Sequence, residues 1–238
     1  MSAGARDEVR ANVATIRERL TAACGRAGRD AGEVRIVAAA KTVPVSAIGW
    51  VVDAGVPDIG HNYVQELRES RPAVPGARWH FIGTLQTGSA HLVAANADVV
   101  QTLASPRSAE RLARRAADAG RRLQALIEVD LTGERSGVPP EEVPAFARRV
   151  AGLDGVELTG LMTLPPIPTD PEDGRPFFVR LRQLRDHLRE DLPQVVELSM
   201  GMSLDYEVAA EEGATMVRIG TALFGPRAVS GTRERPPP

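Results

Sequence analysis

Val34-Arg35-Ile36-Val37-Ala38-Ala39-Ala40-Lys41 is the stretch from which the rest of the chain is read. Its apolar residues run nearly without a break, with no alternation of apolar and polar faces. That is the pattern of a strand buried on both sides, as in a parallel sheet covered by helices. Short β-type runs, several of them nearly as continuous, recur at Asp58–Asn62, Trp79–Gly83, Asp98–Leu103, Gln124–Leu131, Glu157–Leu164, Glu197–Ser203 and Met216–Gly220. Amphipathic stretches lie between them. Ala47–Ala54 carries Ile48, Val51 and Val52, and Ser108–Ala119 carries Leu112, Ala113 and Ala116. Glu141–Ala151 follows Pro139-Pro140, and Phe177–Leu192 repeats Phe177, Leu181, Leu184 and Leu188 at helical spacing. Eight β/α units in unbroken alternation predict an α/β fold, a single closed (β/α)8 TIM barrel, whose usual length is about 250 residues. An open doubly wound sheet is the alternative, but eight well-spaced strands fit closure better. Ahead of the first strand, Val9, Val13, Ile16, Leu20 and Ala23 step by four and three. They predict an extra N-terminal helix packed on the outside or bottom of the barrel. The expected domain is 1–229, with a disordered tail over 230–238. Pro165–Gly174, after the sixth strand, is the longest loop and a candidate lid.

Composition narrows the function. Of 238 residues, 43% are hydrophobic and 25% charged, which is ordinary for a globular domain and excludes disorder as the main state. No apolar run approaches the roughly 20 residues of a membrane span, and the N-terminus is polar. A net charge of −2 gives no footprint for nucleic acid or an anionic membrane. The single cysteine, Cys24, cannot form an internal disulfide, so a cytoplasmic location is expected.

One count points at chemistry. The 29 basic residues are 28 Arg and one Lys. In a chain that uses Arg wherever a positive charge suffices, Lys41 is a candidate for work that Arg cannot do. A lysine amine can lose its proton and attack a carbonyl; a guanidinium cannot. Lys41 ends the first expected strand, on the C-terminal rim where barrel sites gather. Its small apolar neighbours would desolvate the amine, as a Schiff-base lysine requires. The seventh and eighth strands end in Leu198-Ser199-Met200-Gly201-Met202-Ser203 and Arg218-Ile219-Gly220-Thr221. Loops after these two strands often cradle a phosphate, with Ser199, Ser203, Gly220 and Thr221 suited to the task. A Schiff-base lysine beside a phosphate cradle implies pyridoxal 5'-phosphate (PLP). A sugar-phosphate aldolase would need further acid–base groups on the rim, and there is no second lysine. Arg218, facing the cradle, would keep a pyridine nitrogen unprotonated and the ring a weak electron sink.

Other motifs carry less. Gly83-Thr84-Leu85-Gln86-Thr87-Gly88-Ser89 lacks the lysine of a P-loop. His61, His80, His91 and His187 show no metal-ligand spacing, so no metal is expected. His187 reads as solvated. His61 and His80 end the second and third strands, where either could line the pocket. His80 could stack on a cofactor ring or serve as a hydrogen-bonded structural histidine. The Arg-rich stretches Arg111–Arg122 and Arg180–Arg189 read as solvated helix faces.

With those blocks in register, the chain resembles the PLP homeostasis family, the YggS/PROSC proteins, relatives of the alanine racemase barrel of PLP fold type III. The resemblance runs from about Val34 to Arg227. It rests on Val37-Ala38-Ala39-Ala40-Lys41-Thr42, Gly60-His61-Asn62-Tyr63-Val64-Gln65-Glu66, Trp79-His80-Phe81-Ile82-Gly83-Thr84-Leu85-Gln86 and Gly160-Leu161-Met162. Leu198 to Ser203 with Asp205, Thr215 to Thr221, and Phe224-Gly225-Pro226-Arg227 complete it. The resemblance implies a PLP aldimine on Lys41, phosphate contacts from Ser199, Gly220 and Thr221, and Arg218 near the pyridine nitrogen. Asn62, Met202 and Ser203 would line the cofactor. It further implies intracellular PLP homeostasis and delivery without substantial turnover, with PLP-dependent apo-enzymes as recipients and a monomer or weak dimer. The chain departs from the family pattern in three places. His61 stands where Glu is usual, Gly88-Ser89 replaces a common Asn-Lys, and Arg135 replaces a usual Lys.

The rival expectation is a PLP-dependent amino-acid racemase on the same barrel. Relatives of that kind add a β-rich domain and often a tyrosine base. This chain ends after the eighth unit, and its only tyrosines are Tyr63 and Tyr206.

Overall fold

The computed structural model describes residues 3–134 and 136–225. Arg135, Arg227 and the expected 230–238 tail lie outside the described residues. Eight parallel strands close into a barrel in chain order. They are β1 (Arg35–Ala39), β2 (Asp58–His61), β3 (Arg78–Phe81), β4 (Val99–Leu103), β5 (Leu123–Val129), β6 (Val156–Thr163), β7 (Glu197–Ser199) and β8 (Met216–Ile219). The seam pairs Arg35 with Met216, Ile36 with Val217, Val37 with Arg218 and Ala38 with Ile219. All eight expected strands are present. The largest difference is at β7, which ends at Ser199 rather than Ser203. The chain turns away at Gly201, whose φ of +86° is a left-handed conformation that glycine tolerates.

Helices cover the outside. They are α1 (Ala3–Arg26), α2 (Val45–Asp53), α3 (Val64–Ser70), α4 (Ala90–Asn96), α5 (Pro106–Asp118), α6 (Val143–Ala151), α7 (Arg175–Leu188), α8 (Tyr206–Glu211) and α9 (Thr221–Phe224). Local chemistry starts α5: Ser105 caps it by accepting a hydrogen bond from the Ser108 N–H, and Pro106 fills the first turn. Leu112, Ala113 and Ala116 then face inward. The α1 stripe Val9, Val13, Ile16, Leu20 and Ala23 is buried, as its spacing predicts. α1 packs on α2, α8 and α9, so it lies on the flank of the barrel across the β8–β1 seam. Arg26 binds Glu211 there at 2.6 Å.

Alternation along each strand divides the buried apolar residues in two. A large cluster joins outward residues such as Ile36, Ala38, Ile59, Trp79, Val100 and Val217 to the helices. A small one fills the barrel with Val37, Val99, Leu126, Met162 and Met216, with Leu164 packed on it. The remaining inward positions near the rim are where polar side chains appear.

Candidate functional site

Beyond Ala39, the Ala40 N–H still donates to Gly60 O at 2.8 Å, and the chain then turns at Lys41. Thr42 takes a φ of +62°. For a β-branched residue that left-handed geometry is strained by about 1–2 kcal/mol. Its hydroxyl donates to Lys41 O at 2.6 Å, which helps hold the turn. The Lys41 ammonium lies 5.3 Å from the centre of the Tyr63 ring, a cation–π contact.

Lys41 opens onto a cavity of about 400 Å³ at the C-terminal rim. Asn62 reaches it from the end of β2. The β2 and β3 ends meet closely there, because a Cβ on Gly83 would fall 1.9 Å from Asn62 O. Met202 and Ser203 line it from the β7–α8 loop, and Arg218, Gly220 and Thr221 from the end of β8. The two loops are stitched together, since the Ala222 N–H donates to Ser203 Oγ at 3.3 Å. Met162, Leu164 and Phe224 add an apolar wall. Ile167 and Pro168 of the 165–174 loop border the same cavity, Ile167 being 80% exposed. That loop is anchored rather than loose. Asp170 and Asp173 form a capping box at its helical turn, and Arg175 binds Glu172, Glu211 and Glu212 behind it.

Two expected residues do not line the cavity. His80 and Ser199 are fully buried in the barrel interior, beneath Arg218. Arg218 Nη1 donates to Ser199 Oγ at 2.6 Å, and Nη2 donates to Thr163 O at 2.8 Å. Burial pushes the guanidinium down to about 10, with Asp205 and Glu128 opposing, so it stays a cation at neutral pH. Asp205 is buried beside the same cavity, and its Oδ1 accepts from the Met202 N–H at 2.6 Å. Burial raises its carboxyl above the ordinary range, against that N–H and the Arg218 charge.

His61 faces outward, beneath α3. It stacks on Trp79 at 5.8 Å between ring centres, and its Nδ1 is 3.4 Å from Glu66 Oε2. Burial pulls this imidazole below the usual histidine range, with Glu66 opposing. Tyr206 is buried at the start of α8, and only Tyr63, half exposed, stands beside Lys41. Among the described residues, no three His, Cys, Asp or Glu side chains are grouped to hold a metal, and no helix is long and apolar enough to cross a membrane.

Sequence reading missed Asp58 and Gln101, which lie under the site, and Asp205 as a cavity residue.

Residues 5–228 match the family model of the alanine racemase N-terminal domain. The pyridoxal phosphate homeostasis protein of Aquifex aeolicus (strain VF5) is 41% identical over 215 residues, spanning 88% of this chain and 94% of that protein. The protein of the same name from Escherichia coli (strain K12) is 38% identical over 231 residues, covering 93% and 97%. Among solved structures, PipY of Synechococcus elongatus PCC7942 with PLP bound superposes with a TM-score of 0.81 at 30% identity, covering 91% of this chain and all of that one.

Proposed function

The chain belongs to the alanine racemase N-terminal domain family and, within it, to the pyridoxal phosphate homeostasis proteins, and on that premise we propose that it holds PLP in the rim cavity on Lys41 and passes it on without substantial turnover. The observation that carries this reading is the convergence of one lysine, one buried arginine and a hydroxyl–glycine cradle on a single cavity.

The residues fit the group. Ser203, Gly220 and Thr221 offer hydroxyl and backbone donors to a phosphate, from two loops already joined by the Ala222–Ser203 bond. Met162 and Leu164 give an apolar wall for a ring, and Asn62 a polar edge. When bound, PLP supplies an aldehyde carbon with which an unprotonated amine condenses, losing water. Lys41 is the one lysine able to hold that carbon, and the Thr42 turn and the Tyr63 ring set its approach. Arg218 presents only donors, so it can give a hydrogen bond to a ring nitrogen but cannot hand it a proton at neutral pH. That makes the ring a weaker electron sink, which a carrier tolerates without further groups. Handing the cofactor to PLP-dependent apo-enzymes in the cytoplasm, from a monomer or weak dimer, belongs to the same proposal.

Two measurements test it. Lys41→Ala is expected to keep the fold and to lose the visible band that wild-type protein develops with PLP, and Lys41→Arg is expected to behave the same way. Incubation with single L-amino acids is expected to give no racemisation at an enzyme-like rate. Turnover lost in both Lys41→Ala and Tyr63→Phe would establish the racemase instead.

A further inference from the structure

The interior of a barrel is an expensive place for polar side chains, yet a row of them crosses this one. His80 on β3, Gln101 on β4 and Ser199 on β7 are fully buried, and Asp58 on β2 and Arg218 on β8 are 6% and 5% exposed. They are bonded end to end. Below the Arg218–Ser199 bond, Ser199 Oγ donates to Gln101 Oε1 at 2.7 Å. Gln101 Nε2 lies 2.9 Å from His80 Nδ1, and His80 Nε2 lies 2.7 Å from Asp58 Oδ1.

The two ends dictate the direction of every bond. A guanidinium can only donate, so Ser199 accepts from Arg218 and its own proton goes to Gln101. The amide oxygen must therefore face Ser199, and the amide N–H faces His80. His80 Nδ1 is then a lone pair, and the single imidazole proton sits on Nε2, pointing at a carboxylate that can only accept. Turning the amide over would leave the Ser199 proton without an acceptor in the row and set a lone pair against Asp58. The second amide hydrogen of Gln101 is directed at Met216 Sδ, 3.7 Å away.

Charges stand only at the two ends. Asp58 is the first residue of β2, at the floor of the barrel, and Arg78 lies 3.7 Å from it. Burial works to raise its carboxyl, but His80, Arg78 and Arg35 outweigh burial and hold it below the usual carboxylate range. Arg218 is held by a hydroxyl and a backbone carbonyl, while the carboxylates that face it, Asp205 and Glu128, act through space.

We propose that Asp58, His80, Gln101 and Ser199 are positioning residues for Arg218: a one-way hydrogen-bond relay ties the guanidinium in the cavity to a carboxylate at the barrel floor and fixes how its free N–H groups meet the cofactor ring. The relay rests on the PLP reading of the cavity. It also explains the placement of His80 and Ser199, which touch the site through Arg218 instead of lining it. A neutral relay holds the cation by hydrogen bonds without bringing a further carboxylate against it beside Asp205 and Glu128.

The test uses two readouts and a neighbouring control. In cofactor-free protein with 15N-labelled histidine, His80 is expected as the neutral Nε2–H tautomer throughout about pH 6–8. In PLP-loaded protein, Gln101→Leu cuts the relay at its centre with little change in volume. It is expected to leave His80 in the Nε2–H tautomer, which Asp58 still enforces, and to move the pH midpoint of the visible band by about 0.5 unit or more. Thr102→Val removes an adjacent buried hydroxyl outside the relay, one that donates to Gly83 O, and is expected to leave both readouts unchanged. Should Gln101→Leu fail to fold, Gln101→Glu is expected to make His80 an imidazolium between two carboxylates and to raise the midpoint, since the new carboxylate lies nearer Arg218 and the cavity than the imidazolium that balances it. An Nδ1–H tautomer in the wild type overturns the direction of the relay. A folded Gln101 variant whose midpoint matches Thr102→Val overturns its positioning role. Wild-type protein that takes up no PLP overturns the functional reading and the relay's role toward the ring together. The histidine spectrum of that sample still reads the relay itself, so the two failures are told apart.

Discussion

The outer shell of the barrel and its interior are built on opposite terms. Between strands and helices the buried surface is a broad apolar layer, with Trp79, Phe178, Leu112 and Leu123 fully enclosed. Inside the barrel the apolar cluster is small, and near the rim polar side chains replace it: His80, Gln101, Ser199 and Arg218. The shell is held by area removed from water and by packing, which a wide range of apolar residues can supply. The interior is held by directed bonds, in which each atom depends on its neighbour's donor or acceptor state. Stability is therefore concentrated outside and specificity inside, and substitutions in the two regions should fail in different ways.

The largest effect is expected in the shell. Phe178→Ala empties a fully buried site and should cost about 4 kcal/mol in chemical unfolding, with PLP uptake by the folded fraction unchanged. His80→Leu, inside, should cost somewhat less, about 3 kcal/mol, because it strips the buried Asp58 carboxylate of its hydrogen-bonded partner and leaves it only the more distant charges of Arg78 and Arg35. Unlike the shell variant, it should also alter the visible spectrum of the PLP-loaded protein. A His80→Leu protein with wild-type stability and spectrum would erase the distinction between the regions.

Acid should sharpen it. Burial lowers both His61, in the shell, and His80, inside, with Glu66 and Asp58 respectively opposing. The folded imidazoles are harder to protonate than the unfolded ones. Their contribution is thus complete above about pH 6.5 and is lost as pH falls through the lowered folded values. The melting temperature should fall on acidification below that point. His61→Phe, which keeps the stack on Trp79, should make the fall shallower without touching the spectrum.

The same contrast explains what could be read from sequence. Short β-type runs, several of them continuously apolar, announced all eight strands, and the α1 stripe was visible because a helix of 24 residues repeats its pattern many times. α3, α4, α8 and α9 were implied by the β/α alternation but given no bounds, since segments of seven, seven, six and four residues offer too few turns for a period to register. At the site, Lys41 stood out by its rarity, and Ser203, Gly220 and Thr221 by the chemistry of loops after the last two strands. Gln101 and Asp58 did not. A glutamine in an apolar strand carries no chemical signature of its own; only closure of the barrel sets it between a histidine and a serine from distant strands. Ser199 and Ser203 were alike as letters, and the turn at Gly201 is what sends one into the interior and the other to the cavity.

The central claim is that Lys41 holds PLP in the rim cavity. Borohydride reduction of the PLP-loaded protein, followed by peptide mapping, tests it most directly. The account predicts a yellow protein, bleached on reduction, with one stable pyridoxyl adduct on the peptide containing Lys41. An adduct mapped elsewhere, or a protein that stays colourless with added PLP, would contradict it.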